Sequence, residues 1–169
     1  VLFDNVEGCP EGFRILVNWF TGTRKNLTLG FPESFNKLDL SRAYAGHTKN
    51  LKPIPHEIVE DGPVFQNVLE GDDIDVTKFP APLRNPDDGG RYIGTGCFII
   101  TRDPDTGWIN CGTYRIMIHD EKRVALYISP GKHGRIHRDK YMARGEPMPV
   151  CIVVGTDPLS FLTSSTEAP

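Results

Sequence analysis

Apolar and polar residues alternate in short runs through the second half of the chain, a pattern typical of β-strands with one buried face. We predict strands at about 91–101, 108–118, 123–128 and 149–154. Turn residues separate them at 105–107 and 119–123. Helices are predicted at about 132–144 and 158–165, the second one capped by Asp157 with Pro158 in its first turn.

The pattern in the first 80 residues is weaker. Residues 1–20 predict two short strands around a Gly8–Gly12 turn, and a helix is predicted from Pro32 to about residue 50. Two strands near 56–60 and 65–70 and a short acidic helical turn within 71–80 follow. Three prolines and two glycines in residues 80–90 indicate a linker or long loop. The chain is therefore predicted to be mixed α+β, with parts at 1–80, 81–90 (linker) and 91–169.

Composition indicates a globular chain without a preference for polyanions. Hydrophobic residues make up 38% and charged residues 24%. The net charge of −3 argues against a general nucleic-acid-binding protein, which carries a basic excess. No apolar run approaches the roughly 20 residues that span a bilayer, and no secretory signal is visible. Because the chain begins without Met, directly in a predicted strand, we expect a fragment or a processed chain.

The four cysteines are widely spaced and contain no Cys-x-x-Cys pair, which argues against a zinc knuckle or a thioredoxin-like motif. Their strand-like neighbours predict buried free thiols, as in a reducing cytoplasm. Spacing alone leaves two disulfides open. The residues concerned are Cys9, Cys97, Cys111 and Cys151.

Polar residues inside a predicted strand mark the candidate site. Asn is disfavoured in strands, so Asn110 needs a polar partner, either a turn or a metal. His133 follows Lys132 at a predicted helix start, where backbone N–H groups and the helix dipole suit a phosphate. Amide and imidazole groups ligate divalent metals, and a guanidinium binds an anion through two bonds. We therefore predict that Asn110, Arg115 and His133 converge if the strands pair.

The spacing of Asn110 and Arg115 qualifies that prediction. An offset of five residues directs them to opposite faces of an ideal strand. Either a bulge forms at Cys111-Gly112, or the two side chains reach different sides of a ligand. The alternative interpretation of Arg115 is a surface ion pair. His137 has metal-ligand spacing from His133, but we assign it to a solvated basic helix face with its neighbours Arg135, Arg138 and Lys140.

The order Trp108-x-Asn110, Arg115, strand, Lys132-His133, helix resembles the UbiD family of prenylated-flavin-dependent decarboxylases. Segments 2–8, 22–25, 86–93, 155–159 and 163–165 extend the resemblance along nearly the whole chain. Members of that family have several hundred residues. The resemblance therefore implies that this chain contains the end of an N-terminal α/β domain and much of a split β-barrel flavin-binding domain with helices.

The same resemblance implies a set of ligands and site residues. Prenylated FMN, Mn²⁺ and K⁺ are the expected cofactors. Arg115 is the expected catalytic residue, beside the flavin and the substrate carboxylate. Thr95 is expected to approach the cofactor, although it is equally well an ordinary strand residue. The expected cofactor-binding residues are Thr95, Asn110, Thr113, Tyr114, Arg115, Lys132 and His133, and the expected metal-binding residues are Asn110, His133, Thr163, Ser164 and Thr166.

The function implied is reversible decarboxylation of an aromatic or α,β-unsaturated carboxylic acid in the cytoplasm. Partners would be that acid, CO₂, the remainder of the enzyme and further copies in a dimer or hexamer. The family's catalytic carboxylates and metal-binding Glu would lie outside this chain, and Glu167 is not clearly that Glu. One alternative is a flavin-binding split-barrel module or accessory subunit without decarboxylase activity. Another is a structural domain without a ligand.

Overall fold

A computed structural model of the chain describes residues 1–52, 54–94 and 96–166. The chain divides into two compact units, one of Val1–Val17 with Asp75–Pro169 and one of Asn18–Ile74. The predicted linker at 81–90 falls within the first unit, and the predicted domain boundary there stays a prediction. All residues of the candidate site belong to the first unit.

In the second unit, the described residues form α1 (Thr23–Thr28) and α2 (Lys37–Thr48). The Asn36 side chain begins α2, because its Oδ1 accepts hydrogen bonds from the backbone nitrogens of Leu38 (2.8 Å) and Asp39 (3.1 Å). The helix predicted from Pro32 therefore exists but begins at Lys37. Its predicted end near residue 50 agrees with the observed end at Thr48.

The strands predicted near 56–60 and 65–70 are wrong. The described residues of this segment contain no strand, and its regular structure is confined to 3₁₀ turns at Pro63–Phe65 and Gly71–Asp73. Apolar side chains such as Ile54 (91% exposed) and Ile58 (86% exposed) have no core beneath them within their unit. Pro63 instead opens the 3₁₀ turn at Pro63–Phe65, where its fixed φ suits a turn.

The first unit begins with a small hairpin of β1 (Leu2–Phe3) and β2 (Ile15–Leu16), as predicted. A 3₁₀ turn follows at Val76–Lys78. The body of the unit holds two three-stranded antiparallel sheets. One has the order β3 (Tyr92–Gly94), β6 (Arg115–Ile118), β7 (Val124–Tyr127); the other has the order β5 (Ile109–Gly112), β4 (Cys97–Arg102), β8 (Val150–Val154). Helices α3 (His133–Ala143) and α4 (Pro158–Ser164) complete it, and the predicted mixed α+β class is confirmed.

The strand predicted at 108–118 is in fact two strands in different sheets. β5 ends at Gly112 with Asn110 opposite Thr101 of β4, and β6 begins at Arg115 opposite Tyr127 of β7. Two residues, 113 and 114, connect the sheets. Neither a bulge nor a single continuous strand describes this segment. The predicted strand 91–101 is likewise divided between β3 and β4.

The core lies among these strands. Ile99 and Ile116 are fully buried and Cys97 is 1% exposed. They are packed by the partly buried side chains of Tyr114, Val124, Leu126 and Ile152. Alternate residues of β4 face this core, so the strand also directs Thr101 inward, at 1% exposure.

All four cysteines are free thiols, as predicted. Burial raises the pKa of the Cys97 thiol. The prediction of burial is wrong for Cys111 and Cys151, which are exposed. Both pair with Ile100 from opposite sides, which places them on the outer face of their sheet. Among the residues the structure describes, no helix is long and apolar enough to cross a membrane.

Candidate functional site

A cavity of about 460 Å³ opens where β5, the start of α3 and the end of α4 meet. Small-molecule sites typically enclose about 300–1,000 Å³. Three segments distant in sequence form its wall. The lining residues are Trp108, Ile109, Asn110, Cys111, Gly112, Thr113, Tyr114, Gly131, Lys132, His133, Thr163, Ser164, Ser165 and Thr166.

Most of the predicted site residues line this cavity, which brings the predicted metal and phosphate ligands together. Thr95 lies outside the described residues, as does Glu167. Arg115 is described, but it is not part of the cavity wall.

The Asn110 side chain is 8% exposed and has the polar partners that a strand Asn requires. Its Nδ2 donates to Thr101 Oγ1 at 3.4 Å and to the Tyr114 hydroxyl at 3.2 Å. A primary amide has two N–H donors and one carbonyl acceptor. Since both hydrogen bonds use the nitrogen, the carbonyl oxygen of Asn110 is left for a ligand in the cavity.

Tyr114 joins β5 to the start of α3. Its hydroxyl accepts hydrogen bonds from Asn110 Nδ2 and from the Gly134 backbone nitrogen, both at 3.2 Å. The ring passes so close to two glycines that a Cβ on Gly112 would overlap the hydroxyl and one on Gly134 would lie 2.9 Å from it. Because two N–H groups occupy the hydroxyl oxygen, its own proton is left to donate elsewhere.

His133 is the first residue of α3, and its ring packs edge-to-face against Trp108 with centroids 4.9 Å apart. Lys132 caps the helix with its backbone carbonyl, which accepts from the nitrogens of Arg135 (2.9 Å) and Ile136 (3.1 Å). The positive end of an eleven-residue helix, a lysine and an imidazole therefore border the cavity together. This combination suits a phosphate group.

The end of α4 contributes hydroxyl groups to the wall of the cavity. Thr163 donates to the Leu159 carbonyl at 2.9 Å, and Ser164 donates to the Phe161 carbonyl at 2.8 Å. Thr166 donates to the Leu162 carbonyl at 2.9 Å. Each proton is thus engaged within the helix, so the lone pairs of the hydroxyl oxygens remain as hard donors of the kind that alkali and alkaline-earth cations prefer.

The donor set fits a divalent metal in part. Asn110 offers an oxygen and His133 a nitrogen, a combination that transition metals accept. Among the described residues no group of three His, Cys, Asp or Glu side chains is placed to hold a metal, and the described cavity wall contains no carboxylate. A metal bound by these two residues would take its remaining ligands from a phosphate, from water or from residues beyond the described ranges.

Arg115 is exposed on β6, in the other sheet from Asn110. Its guanidinium carbon lies over the Tyr92 ring, 5.4 Å from the centroid, which is a cation–π contact. The structure therefore does not bring Arg115 into the cavity with Asn110 and His133. Its catalytic role stays a prediction.

The prediction that His137 lies on a solvated helix face is wrong, because the residue is 1% exposed. Its Nδ1 lies 2.9 Å from Thr101 Oγ1, and its ring packs edge-to-face on Trp108 with centroids 5.4 Å apart. The spacing of four residues from His133 puts both rings on the face that meets Trp108. Burial lowers the pKa of His137, so the ring is neutral at neutral pH.

Asp103 lies behind His137, with its Oδ2 3.8 Å from His137 Nε2. A hydrogen bond from Lys140 (2.6 Å) and another from the Asp105 backbone nitrogen (2.8 Å) lower the pKa of Asp103 to about 2. Sequence reasoning missed Thr101, Asp103 and His137 as members of one cluster. Alternation along β4 indicates that Thr101 faces inward. That pattern does not reveal which helix packs against Thr101.

The chain is similar to known proteins in sequence and in fold. Residues 57–169 match the family described as UbiD: 3-octaprenyl-4-hydroxybenzoate carboxy-lyase Rift-related domain. The chain is 32% identical over 164 residues to pyrrole-2-carboxylic acid decarboxylase of Pseudomonas aeruginosa, an alignment that covers 97% of this chain and 33% of that protein. The chain thus spans about a third of the length of the curated relatives it matches.

Solved structures show the same fold. Vanillic acid decarboxylase of Sedimentibacter hydroxybenzoicus in its closed form superposes with a TM-score of 0.87 at 26% identity, over 98% of this chain and 35% of that one. An evolved dimeric form of HmfF from Pelotomaculum thermopropionicum, in complex with prFMN, gives a TM-score of 0.74 at 22% identity, over 99% of this chain and 42% of that one. That last likeness shows the fold alone. With the matched domain covering residues 57–169, this chain belongs to the UbiD family.

Proposed function

We propose that this chain supplies the cofactor-binding cradle of a reversible decarboxylase that acts on an aromatic or α,β-unsaturated carboxylic acid with prenylated FMN, Mn²⁺ and K⁺. The observation that carries the proposal is that Asn110, Lys132 and His133 border the same cavity. The decarboxylases among its relatives, which include enzymes named for pyrrole-2-carboxylic acid and ferulic acid, support the reaction class.

The phosphate of the flavin is assigned to the start of α3. Lys132 and the helix dipole supply positive charge there, and the O–H of Tyr114 supplies a hydrogen-bond donor. Thr113, between the two sheets, is assigned to the same phosphate-proximal wall. The task of these groups would be to hold the phosphate end of the cofactor in one position.

The metals are assigned to two parts of the wall. Asn110 and His133 would ligate Mn²⁺ together with the flavin phosphate, and Thr163, Ser164 and Thr166 would ligate K⁺ through oxygens. Prenylated FMN, when bound, supplies the electron sink for loss of CO₂. Arg115 is assigned to the substrate carboxylate and Thr95 to the flavin, both from the family resemblance.

The alternative function is a flavin-binding module or accessory subunit without decarboxylase activity. It is favoured by one observation: the described cavity wall contains no Asp or Glu to deliver a proton. In the decarboxylase proposal that group comes from elsewhere in the enzyme. Measurement of CO₂ release by the native-length protein with pyrrole-2-carboxylic, ferulic and vanillic acids separates the two functions.

Metal content tests the assignment of Asn110 and His133 as metal ligands. Asn110→Ala and His133→Ala are expected to lower the Mn²⁺ that co-purifies with the protein, measured by plasma emission. Asn50→Ala is the matched control, because Asn50 is exposed in the other compact unit, where its amide nitrogen donates to the Gly46 carbonyl. Unchanged metal content in both site variants would overturn the assignment.

The partners and location follow from the same proposal. We propose that the cradle works with the remainder of the enzyme in a homo-oligomer, a dimer or a hexamer. The four free thiols support the cytoplasm as the location, because free cysteines are typical of reducing compartments.

A further inference from the structure

A row of polar groups runs inward from Asn110 at the cavity wall, and its inner members, Thr101, His137 and Asp103, have no assigned role. Asn110 Nδ2 contacts Thr101 Oγ1 at 3.4 Å, Thr101 Oγ1 contacts His137 Nδ1 at 2.9 Å, and His137 Nε2 lies 3.8 Å from Asp103 Oδ2. Thr101 and His137 are each 1% exposed. Bulk water therefore does not compete for the hydrogen bond between Thr101 and His137. The contact between His137 and Asp103 is longer than a hydrogen bond and is electrostatic.

The tautomer of His137 determines which group donates and which accepts in each hydrogen bond of this row. If the proton lies on Nε2, towards Asp103, then Nδ1 is an acceptor and the Thr101 hydroxyl must donate to it. The oxygen of Thr101 can then only accept from Asn110, which requires the nitrogen of that amide on the inner side. With the proton on Nδ1, Thr101 would be free to donate to Asn110 and would tolerate the flipped amide.

The surroundings of His137 favour the first arrangement. The Asp103 carboxylate faces Nε2. Its Oδ2 interacts with Lys140 and retains a lone pair that can accept from a ring N–H. Lys140 and His133 disfavour a positive charge on the ring. Trp108 packs edge-to-face on the ring with an interplanar angle of 89°, which restricts its rotation. The ring is therefore held in both position and orientation.

We propose that Thr101 and His137 are positioning residues that hold the Asn110 amide with its nitrogen inward and its carbonyl oxygen towards the cavity, where a divalent metal would bind. The inference rests on the proposed function, because it assigns Asn110 to the metal. Neither residue would touch the metal or the substrate. Each acts through the hydrogen-bond direction that it imposes on the next group, in the way that outer partners orient metal ligands.

The His137 tautomer can be observed in the unmodified protein. Nitrogen-15 NMR of histidine-labelled, native-length protein distinguishes a protonated ring nitrogen from an unprotonated one, and His137→Gln identifies the signals of this ring. The expected result is a neutral ring with the proton on Nε2. A proton on Nδ1 would overturn the proposal, and this measurement does not depend on any variant of Thr101 folding.

Substitutions of Thr101 test the consequence for the metal. Affinity for Mn²⁺ is measured in the presence of saturating FMN by the loss of the free-ion signal in electron paramagnetic resonance. Thr101→Val keeps the shape but removes the hydroxyl, and it is expected to weaken Mn²⁺ binding by about 10- to 100-fold. Thr101→Ser retains the hydroxyl and is expected to restore most of the affinity.

A double variant shows whether Thr101 acts through Asn110. Thr101→Val is expected to add no further loss on top of Asn110→Ala, because the group it positions is already gone. Additive losses would overturn the proposal, as would wild-type affinity in Thr101→Val when Asn110→Ala is impaired. Wild-type affinity in Asn110→Ala would instead overturn the metal assignment itself, and this inference with it.

Discussion

The Arg115 guanidinium lies over the Tyr92 ring, 5.4 Å from its centroid, within a sheet that does not contain Asn110. Arg115 and Asn110 are nevertheless only five residues apart. Tyr92 belongs to β3 and Arg115 to β6, and these two strands are paired. The Tyr92 ring therefore packs against the arginine outside the described cavity wall, in a different sheet from Asn110.

That position leads to a prediction for Arg115→Lys in the native-length enzyme. Lysine keeps the charge but lacks the planar fork that binds a carboxylate through two bonds. Loss of a charge-assisted pair costs about 1.5–3 kcal/mol, or roughly 10- to 150-fold in turnover. Flavin and metal content should stay at the wild-type level.

Two other outcomes would change the role of Arg115. Near-wild-type turnover would make it a structural residue of β6. Loss of flavin together with activity would place it in the cofactor cradle. Arg102→Lys serves as the matched control, because Arg102 is an exposed strand arginine outside the cavity wall.

Gly134→Ala is expected to lower stability, although alanine normally favours a helix. The added Cβ would lie 2.9 Å from the Tyr114 hydroxyl, so the ring must shift and lose its hydrogen bonds to Asn110 and the helix. Overpacking of this kind costs about 1–3 kcal/mol. Urea unfolding measures the free energy of unfolding, and Mn²⁺ affinity should fall with it.

Gly46→Ala supplies the control for that substitution. Gly46 also lies in a helix, α2, but a Cβ there would meet nothing within 4 Å. It should therefore stabilise the protein by up to about 1 kcal/mol, the intrinsic preference for alanine. If Gly134→Ala stabilised the protein to the same extent, the packing of Tyr114 between the glycines would not limit the site.

The burial of His137 predicts how stability depends on pH. Burial lowers its pKa below the ordinary value of 6.5, so between the two values the unfolded chain binds the proton more readily than the folded chain. The stabilisation is complete above pH 6.5 and is lost as the pH falls from there towards the lowered pKa. A separate loss, due to Asp103, is expected between its ordinary pKa of 3.8 and about 2.

Unfolding in urea at a series of pH values measures this dependence. His137→Gln should remove the decline that begins near pH 6.5 and leave the one due to Asp103. His56→Gln is the control, because His56 is exposed and lies in the other compact unit from His137. An identical decline in wild type and His137→Gln would contradict the prediction.

Residues 1–169 by themselves are expected to release no CO₂ from any of the three test acids. The described cavity wall has no carboxylate to deliver a proton, and general acid catalysis contributes about 10²–10⁴-fold. Headspace analysis of the purified chain beside the native-length protein checks this. Comparable turnover by the isolated chain would show that its proton donor lies within these residues.

Elements with a strong local signal could be predicted from the sequence. Helix α4 begins where Asp157 and Pro158 indicated, and its cap is observed: Asp157 Oδ1 accepts from the nitrogens of Leu159 (2.9 Å) and Ser160 (3.0 Å). Helix α3 and strand β8 also lie where the pattern predicted them. These signals depend on neighbours in the chain, which the sequence displays directly.

Features that depend on distant partners could not be predicted in the same way. Alternation along 108–118 continues across the change of sheet, so it predicted one strand where the partners of Asn110 and Arg115 differ. His137 carries charged neighbours along the chain, yet the residues that bury it, Thr101 and Trp108, come from a strand and a turn more than 25 residues earlier. The cavity residues themselves were found because the family resemblance supplied the missing long-range information.

The two-residue connection between β5 and β6 makes this segment intolerant of insertions and deletions. One added or removed residue would shift β6 by one position, and a shift of one position exchanges the two faces of a strand. Ile116, now fully buried, would then trade places with the exposed Arg115 or the partly buried Met117. The loop 119–123, by contrast, joins two strands of the same sheet at the surface. Length variation among natural variants should therefore collect at that loop and be absent between Gly112 and Arg115.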